Sequence, residues 1–131
     1  MRASLLTAAI IAVIGSCAAQ GTVEYVAHAT LPTRFKADTL VDHALNMTFV
    51  LDSTRINISA FDRFNKLVWR TDPWADNKLE AYRVARPTIV YFQVQKGELP
   101  HDKEAIWITY NNTQFGTVDK ATGKFTWMGQ D

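Results

Sequence analysis

The sequence has a single cysteine, Cys17, and it lies within the first twenty residues. Removal of an N-terminal segment after Ala18 or Ala19 would leave a chain in which no disulfide can form, so its stability must come from packing alone. Hydrophobic residues occupy 47% of the 131 positions and charged residues 21%. This composition predicts one globular domain with a buried core.

A large net charge of one sign is also lacking. The formal charge of +1 provides no overall field that would attract the chain to nucleic acid or to an acidic membrane surface. We therefore expect no nucleic-acid partner.

Catalytic and metal-binding motifs are missing as well. No serine stands in a Gly-x-Ser-x-Gly turn, and no glycine-rich loop is present that would bind phosphate. His28, His43 and His101 lie far apart, and none has a second type of ligand at metal-binding spacing. The sequence thus predicts no metal and no cofactor, whereas catalysis by two carboxylates depends on distances that spacing does not reveal.

The first twenty residues have the features of a secretory signal peptide. Arg2 supplies a positive start, residues 5–14 form an apolar run, and the small residues 15–19 provide a cleavage site. The run is shorter than the roughly twenty residues that a membrane-spanning helix needs, so no transmembrane segment is predicted. We expect a signal peptide over residues 1–19 and one secreted, extracellular β-rich domain over residues 20–131.

The same segment allows a second interpretation. Ile14-Gly15-Ser16-Cys17 resembles a bacterial lipoprotein box, in which Cys17 would be retained, lipidated and anchored at the membrane surface. N-glycosylation patterns instead favour a eukaryotic secretory route and a glycoprotein. The three acceptors predicted by these patterns are Asn46, Asn57 and Asn111. The two interpretations exclude each other.

Short runs with the period of a β-strand fill most of the chain after the signal peptide. In residues 88–95, Val90, Phe92 and Val94 alternate with polar or aromatic residues, which predicts a central strand. Further strands are predicted over residues 22–30, 47–51, 55–61, 66–70, 106–110, 115–118 and 125–128. Strands separated by turn signals about every ten residues predict an antiparallel β-sandwich or a small β-barrel, with one or two short helices.

The helical part of this prediction concerns two segments. Apolar residues at helical spacing predict a short helix within residues 36–46, with Asp38 as its N-cap. Residues 78–86 fit either a helix or a strand that ends at Pro87. Residues 71–77 and 96–104 are rich in turn formers and charge, and they predict surface loops.

Two predicted hairpins echo each other. Residues 60–69 and 117–127 share an aspartate, a lysine and a tryptophan in the same order, and the first segment is one residue shorter. The second resembles the Asp-x-x-Thr-Gly-Lys-x-x-Trp turn of quinoprotein-type propeller blades. A propeller needs about four blades or more, so the echo predicts two similar hairpins within one domain.

The polar side of residues 88–95 is the candidate binding surface. If this strand pairs with residues 105–110, one face of the sheet collects five side chains: Tyr91, Gln93, Gln95, Trp107 and Thr109. Flat aromatic rings with polar edges, next to amide groups, suit the stacking and hydrogen bonding of sugar rings. We predict ligand binding by Tyr91, Gln93 and Trp107, with Trp74 contributing from its loop. A second sheet or a helix over this face would instead make Trp107 part of the core.

Together these features predict a secreted, non-enzymatic, carbohydrate-binding or protein-binding domain that contacts an extracellular glycan or a host or partner protein. The alternative is a small secreted enzyme, either a glycan hydrolase or an isomerase, with Asp or Glu as acid and base inside a β-barrel cavity. The sequence does not determine the oligomeric state.

Overall fold

The computed structural model describes the backbone of residues 24–26 and 29–31, and residues 36–97 and 103–131 in full. These parts contain the strands β1 (Glu24–Val26), β2 (Ala29–Leu31), β3 (Asp38–Asp42), β4 (Met47–Leu51), β5 (Ile58–Phe61), β6 (Leu67–Thr71), β7 (Ile89–Lys96), β8 (Glu104–Tyr110), β9 (Gln114–Val118) and β10 (Phe125–Gln130). One short helix, α1 (Pro73–Asp76), follows β6. In the described parts, no helix has the length and apolar character needed to cross a membrane.

Two four-stranded antiparallel sheets make up the domain. The first sheet has the strand order β3-β4-β5-β6, the second has the order β10-β9-β8-β7, and β1 pairs with β2. Each four-stranded sheet is a meander, because every strand pairs with the next one along the chain. The predicted antiparallel β-sandwich is therefore confirmed, and the described strands do not close into a barrel.

The two sheets bury their inner faces against each other in one core. Strand alternation puts every second residue on this side, and Phe49 of β4 lies opposite Leu40 of β3 and Ala60 of β5. In the second sheet, Phe92 of β7 lies opposite Ile108 of β8. The buried apolar side chains are Phe49, Leu51, Ile58, Ala60, Ile89, Phe92, Ile106, Ile108, Tyr110, Val118 and Phe125.

The strand over residues 88–95 is confirmed, but its predicted position and inner face need correction. β7 lies at the edge of the second sheet, and β8 and β9 occupy the centre. The register shifts between Ile89 and Tyr91, so that Val90 is an extra residue and Ile89 is the buried one. Phe92 is buried and Val94 half-buried against the core, as the alternation predicts.

The predicted helix over residues 36–46 is wrong. Residues 38–42 form strand β3, and each of its residues pairs with one in β4. The chain then turns through Asn46, whose φ of 52° is the left-handed value suited to a tight turn. The Asp42 carboxylate accepts a hydrogen bond from the Leu45 N–H at 3.0 Å and closes this turn. Pairing with β4 thus overrides the helical spacing of the apolar residues.

Three further predictions change. The single strand over residues 22–30 is wrong, because β1 and β2 form a hairpin, with residues 27–28 outside the described part. The loop over residues 71–77 contains α1, whose N-cap Asp72 accepts the Ala75 N–H at 3.1 Å. Residues 78–86 are neither helix nor strand, apart from an isolated bridge between Tyr82 and Val84. In the loop over residues 96–104, residues 98–102 lie outside the described part.

Equivalent turns occur at equivalent places in the two sheets. Arg55 in the β4–β5 turn has a φ of 60°, and Thr113 in the β8–β9 turn has a φ of 70°. Asn65 in the β5–β6 turn and Gly123 in the β9–β10 turn have φ values of 60° and 73°. The two echoing hairpins predicted from the sequence are confirmed. Strand order and turn geometry together make the two sheets structural repeats.

Candidate functional site

The predicted binding residues lie on the outer face of the second sheet, on the side away from the core. Gln93 of β7 lies opposite Trp107 of β8, and Trp107 lies opposite Thr117 of β9. Tyr91 pairs in the same way with Thr109. We call this surface the aromatic face, and it consists of Tyr91, Gln93, Gln95, Trp107, Thr109, Phe115 and Thr117.

Solvent reaches much of the aromatic face. Tyr91 is 40% exposed, Gln93 and Gln95 are exposed, and Trp107 is half-buried among its neighbours. The Gln95 amide donates a hydrogen bond to the Tyr91 hydroxyl, which holds these two side chains together along β7. The Trp107 ring therefore lies in the sheet surface beside polar groups that can donate and accept hydrogen bonds.

Two shallow depressions extend the aromatic face toward the end of the sheet. One, of about 220 Å³, is lined by Gly97, Lys103, Ala105, Trp107, Thr117 and Met128. A neighbouring one, of about 240 Å³, shares Lys103, Ala105 and Thr117 with it and reaches the charged residues Asp119 and Lys124. Each is smaller than the roughly 300–1,000 Å³ typical of pockets that enclose a ligand. The face thus suits surface binding, with an aromatic centre and a charged rim.

Trp74 is not part of this surface. It lies in α1 and packs against the shared core of the two inner faces. The Arg86 guanidinium lies over its ring, 4.9 Å from the centroid, and the same guanidinium pairs with the Asp72 carboxylate. The structure therefore brings Tyr91, Gln93 and Trp107 together and places Trp74 with the core.

The three predicted glycan acceptors differ in accessibility. Asn46 is exposed in the β3–β4 turn. Asn57 is half-buried, and its amide donates to the Asp52 carboxylate at 2.9 Å. Asn111 is 3% exposed, and its side-chain oxygen accepts the Thr88 N–H at 3.1 Å. The use of these acceptors stays a prediction, and Asn46 is the most open of the three.

A second surface, on the outer face of the first sheet, was missed by the sequence prediction. We call it the aliphatic face, and it consists of Thr39, Val41, Thr48, Val50, Ser59, Phe61, Leu67 and Arg70. Val41 is 57% exposed and Leu67 50% exposed. Because residues 36–46 were predicted to form a helix, Val41 was not assigned to a sheet. The signal that could have revealed this face is the presence of Val50 and Phe61 on the outward side of their strands.

A charged group joins the two sheets at one side of the core. The Lys120 ammonium donates to Asp42 of β3 at 2.5 Å and to Glu104 of β8 at 2.9 Å. The hydrogen bond from Lys120 lowers the pKa of Asp42. Burial works against the charge on Lys120, but its hydrogen bonds to Asp42 and Glu104 raise the pKa of this lysine overall. The ion pairs of Lys120 with Asp42 and Glu104 thus link the two sheets.

The predicted absence of a metal site involves histidines that the structure describes only in part. His43 lies exposed in the β3–β4 turn, while His28 and His101 are outside the described residues. Across residues 36–97 and 103–131, no three His, Cys, Asp or Glu side chains are grouped as metal ligands.

Comparison of the chain with protein-family models, curated proteins and solved structures finds no match. The functional argument therefore depends on the geometry of the two outer faces.

Proposed function

We propose that this protein is an exported, non-enzymatic binding domain and that the aromatic face is its contact surface for an extracellular glycan or partner protein. The observation that carries the proposal is the position of Gln93 opposite Trp107, with Tyr91 40% exposed beside them. A tryptophan held in a sheet offers a flat surface at little entropic cost, because its backbone and its neighbours are already ordered.

The polar residues of the aromatic face can orient a bound ligand through hydrogen bonds. The Gln93 amide can donate and accept at the edge of a ring stacked on Trp107, and Tyr91 adds a second ring with a hydroxyl. Lys103 lines both neighbouring depressions and supplies a cation at the rim. A neutral or acidic sugar ring or an exposed aromatic side chain matches this arrangement.

The enzyme alternative required a cavity inside a β-barrel. The described strands form two open sheets whose inner faces are filled by the shared core. This filled core supports the binding proposal over an acid–base site inside a barrel.

The proposal is tested with secreted protein on a glycan array and against extracellular proteins. We expect Trp107→Ala to weaken binding by about tenfold or more, because interface tryptophans commonly dominate binding. The matched control is Phe64→Ala, since Phe64 is an aromatic residue 75% exposed in the β5–β6 turn of the other sheet. The control should bind as the unmodified protein does.

Thermal unfolding separates loss of binding from loss of fold. Trp107→Ala should shift the unfolding midpoint by no more than a few degrees, because a half-buried ring on an open face adds little to the core. Unchanged binding by a folded Trp107→Ala protein would refute the aromatic face as the contact surface.

Export is tested on the same material by N-terminal sequencing. A mature chain that begins between Cys17 and Gln20 is expected for the signal-peptide interpretation. A retained and acylated Cys17 would instead support the lipoprotein interpretation.

A further inference from the structure

We infer that a second copy of this chain binds the aromatic face through its own aliphatic face, so that copies pack head to tail. This inference rests on the proposed function, because it uses the same contact surface and names its partner. The argument comes from how the two sheets of one chain already pack.

The two sheets are repeats of one unit. Their strand orders are the same. The turns that begin at Asp62 and Asp119 are also closed by equivalent backbone hydrogen bonds. The Asp62 N–H donates to the Lys66 carbonyl at 2.9 Å, and the Asp119 N–H donates to the Lys124 carbonyl at 2.9 Å. The two aspartates therefore provide a common reference for comparing the faces.

This reference shows which faces correspond. Counting back two residues from each aspartate, Ala60 corresponds to Thr117. Ala60 lies on the inner face of the first sheet, opposite Phe49, whereas Thr117 lies on the aromatic face, opposite Trp107. The aromatic face is thus the counterpart of the inner face of the first sheet.

The aliphatic face has the reverse correspondence. Phe61 immediately precedes Asp62 and lies on the aliphatic face, while Val118 immediately precedes Asp119 and is fully buried in the core. The aliphatic face is therefore the counterpart of the inner face of the second sheet. Placing the aliphatic face of one copy on the aromatic face of another would repeat the packing found inside each chain.

The composition of the two faces fits such a contact. Val41, Val50 and Phe61 supply apolar surface on the aliphatic face, and the charged Arg70 lies on the edge strand β6, opposite Ser59. Trp107 and Phe115 supply apolar surface on the aromatic face, and Met128, which is 49% exposed, lies beside Trp107. In repeat structures each unit buries its faces against its neighbours, and an unpaired apolar face remains a site for association.

The proposed contact between two copies would differ from the contact between the two sheets of one chain at the position that Trp69 occupies. Inside the chain, the Trp69 indole N–H donates to the Lys120 carbonyl at 3.0 Å, and the ring lies against Gly123. Trp127 is the sequence counterpart of Trp69, but it lies opposite Gly116, on the inner side of its sheet. The reason is that β10 has its irregularity after Trp127, whereas β6 has it before Trp69. On the aromatic face, Thr126 lies opposite Thr117 and therefore takes the place that Trp69 has opposite Ala60, so we expect a weaker contact than the internal one.

A contact between two different faces is heterologous, and this makes a specific prediction. We expect the mature chain, residues 20–131, to associate reversibly in sedimentation and light scattering between about 1 and 500 μM. Trp107→Lys places a charge in the aromatic face and should prevent binding through it. Val41→Lys does the same to the aliphatic face. Each variant alone should be monomeric. Their equimolar mixture should form a dimer, because each variant retains the face that the other has lost.

Two controls accompany these variants. Ala75→Lys adds the same charge at an exposed position in α1, away from both faces, and should associate as the unmodified chain does. Gln93→Lys changes an exposed residue of the aromatic face, and it replaces Trp107→Lys if that variant does not fold.

The other outcomes overturn the inference in distinguishable ways. A chain that stays monomeric over the whole range has no second copy as its partner, while the glycan and protein binding tests still decide the proposed function. Association that persists in Val41→Lys would indicate a symmetric contact between two aromatic faces. A monomeric chain in which Val41→Lys lowers the unfolding midpoint by about ten degrees or more would indicate that another segment of the same chain covers the aliphatic face.

Discussion

The two sheets have the same strand order and equivalent turns, but their outer faces differ in chemistry. The first sheet presents Val41, Val50 and Phe61 outward, and the second presents Tyr91, Gln93 and Trp107. Their inner faces, in contrast, consist of the same kinds of apolar residues in one core. Packing against one core therefore requires apolar residues on both inner faces, while the outer faces, which lie outside that core, differ in composition.

The hairpins at the outer edge of each sheet differ in a similar way. The β5–β6 turn is exposed, and the Arg63 guanidinium lies 4.6 Å from the ring centroid of Phe64. The β9–β10 turn has Gly123 against the Trp69 ring and the Lys120 ammonium between Asp42 and Glu104. Similar turns, which differ in length by one residue, therefore form an open turn in one sheet and an inter-sheet contact in the other.

The largest expected effect concerns the shared core. Phe49→Ala in the first sheet and Phe92→Ala in the second should each lower the free energy of unfolding by about 3–5 kcal/mol, because both rings are buried in one cluster. Chemical denaturation followed by circular dichroism should show one cooperative transition in each variant. Loss of one sheet with retention of the other would show that the sheets do not share a core.

The next effect concerns the charged inter-sheet contact. Lys120→Met leaves the Asp42 carboxylate buried without its cation, and we expect a loss of about 2–3 kcal/mol near neutral pH. The matched control is Arg63→Met, at the equivalent position of the exposed turn, which should change stability by about 0.5 kcal/mol or less. Equal effects of the two variants would contradict the difference between the hairpins.

The pH dependence of this contact follows from the two pKa shifts. The lowered pKa of Asp42 means that its contribution is complete above the ordinary carboxyl value of about 4 and is lost as the pH falls through the lower folded value. The raised pKa of Lys120 means that its contribution is complete below about 10 and is lost as the pH rises through the higher folded value. The difference in the free energy of unfolding between the unmodified chain and Lys120→Met should therefore be largest between about pH 5 and 9. It should decrease toward both pH extremes.

A comparable effect is expected at Gly123 of the β9–β10 turn, and a smaller one at Asn65 of the β5–β6 turn. A Cβ at Gly123 would lie 2.7 Å from two ring carbons of Trp69, and its φ of 73° is strained for alanine. Gly123→Ala should cost about 2–3 kcal/mol in thermal or chemical unfolding. Asn65→Ala introduces the backbone strain alone, at a φ of 60°, and should cost about 1 kcal/mol or less. Similar costs at both positions would show that Trp69 does not pack closely on this turn.

The smallest effect on stability concerns the glycan acceptors. In protein from a eukaryotic secretory host, glycopeptide mass spectrometry should show the highest occupancy at the exposed Asn46 and the lowest at the buried Asn111. Thr48→Ala removes the first acceptor pattern without changing the Asn46 backbone, and it should remove that glycan at a cost of about 1 kcal/mol or less. Higher occupancy at Asn111 than at Asn46 would mean that the chain is glycosylated before the β8–β9 turn has folded.

Much of the fold could be predicted because strand alternation is a local property. Residues 47–51, 106–110 and 115–118 alternate clearly, and each corresponds to a strand of the structure. The helix prediction over residues 36–46 failed because apolar pairs at 40–41 and 44–45 fit both periods. The deciding factor was the neighbouring strand β4, which supplies backbone partners for residues 38–42.

Strand alternation also predicted which residues share the face of the candidate site. It did not reveal irregular pairing or contacts with distant segments. Tyr91, Gln93 and Gln95 share a face by alternation, and Trp107 joins them because β7 and β8 form an antiparallel hairpin. The sequence did not reveal that Val90 is an extra residue at a register shift. The sequence predicted Trp74 as a binding residue together with Trp107, yet its contacts with Arg86 and the core place it elsewhere.

The sequence by itself determined the absence of a disulfide after residue 19, the β-rich class and the side of each strand on which most residues lie. These properties depend on composition and on a period of two residues, which act over a few positions. The tertiary structure alone decided that β7 is an edge strand, that Trp69 packs on Gly123 of the other sheet and that Val41 and Leu67 of the aliphatic face are exposed. Whether a face is covered depends on strands that are distant in the sequence, and no local pattern contains that information.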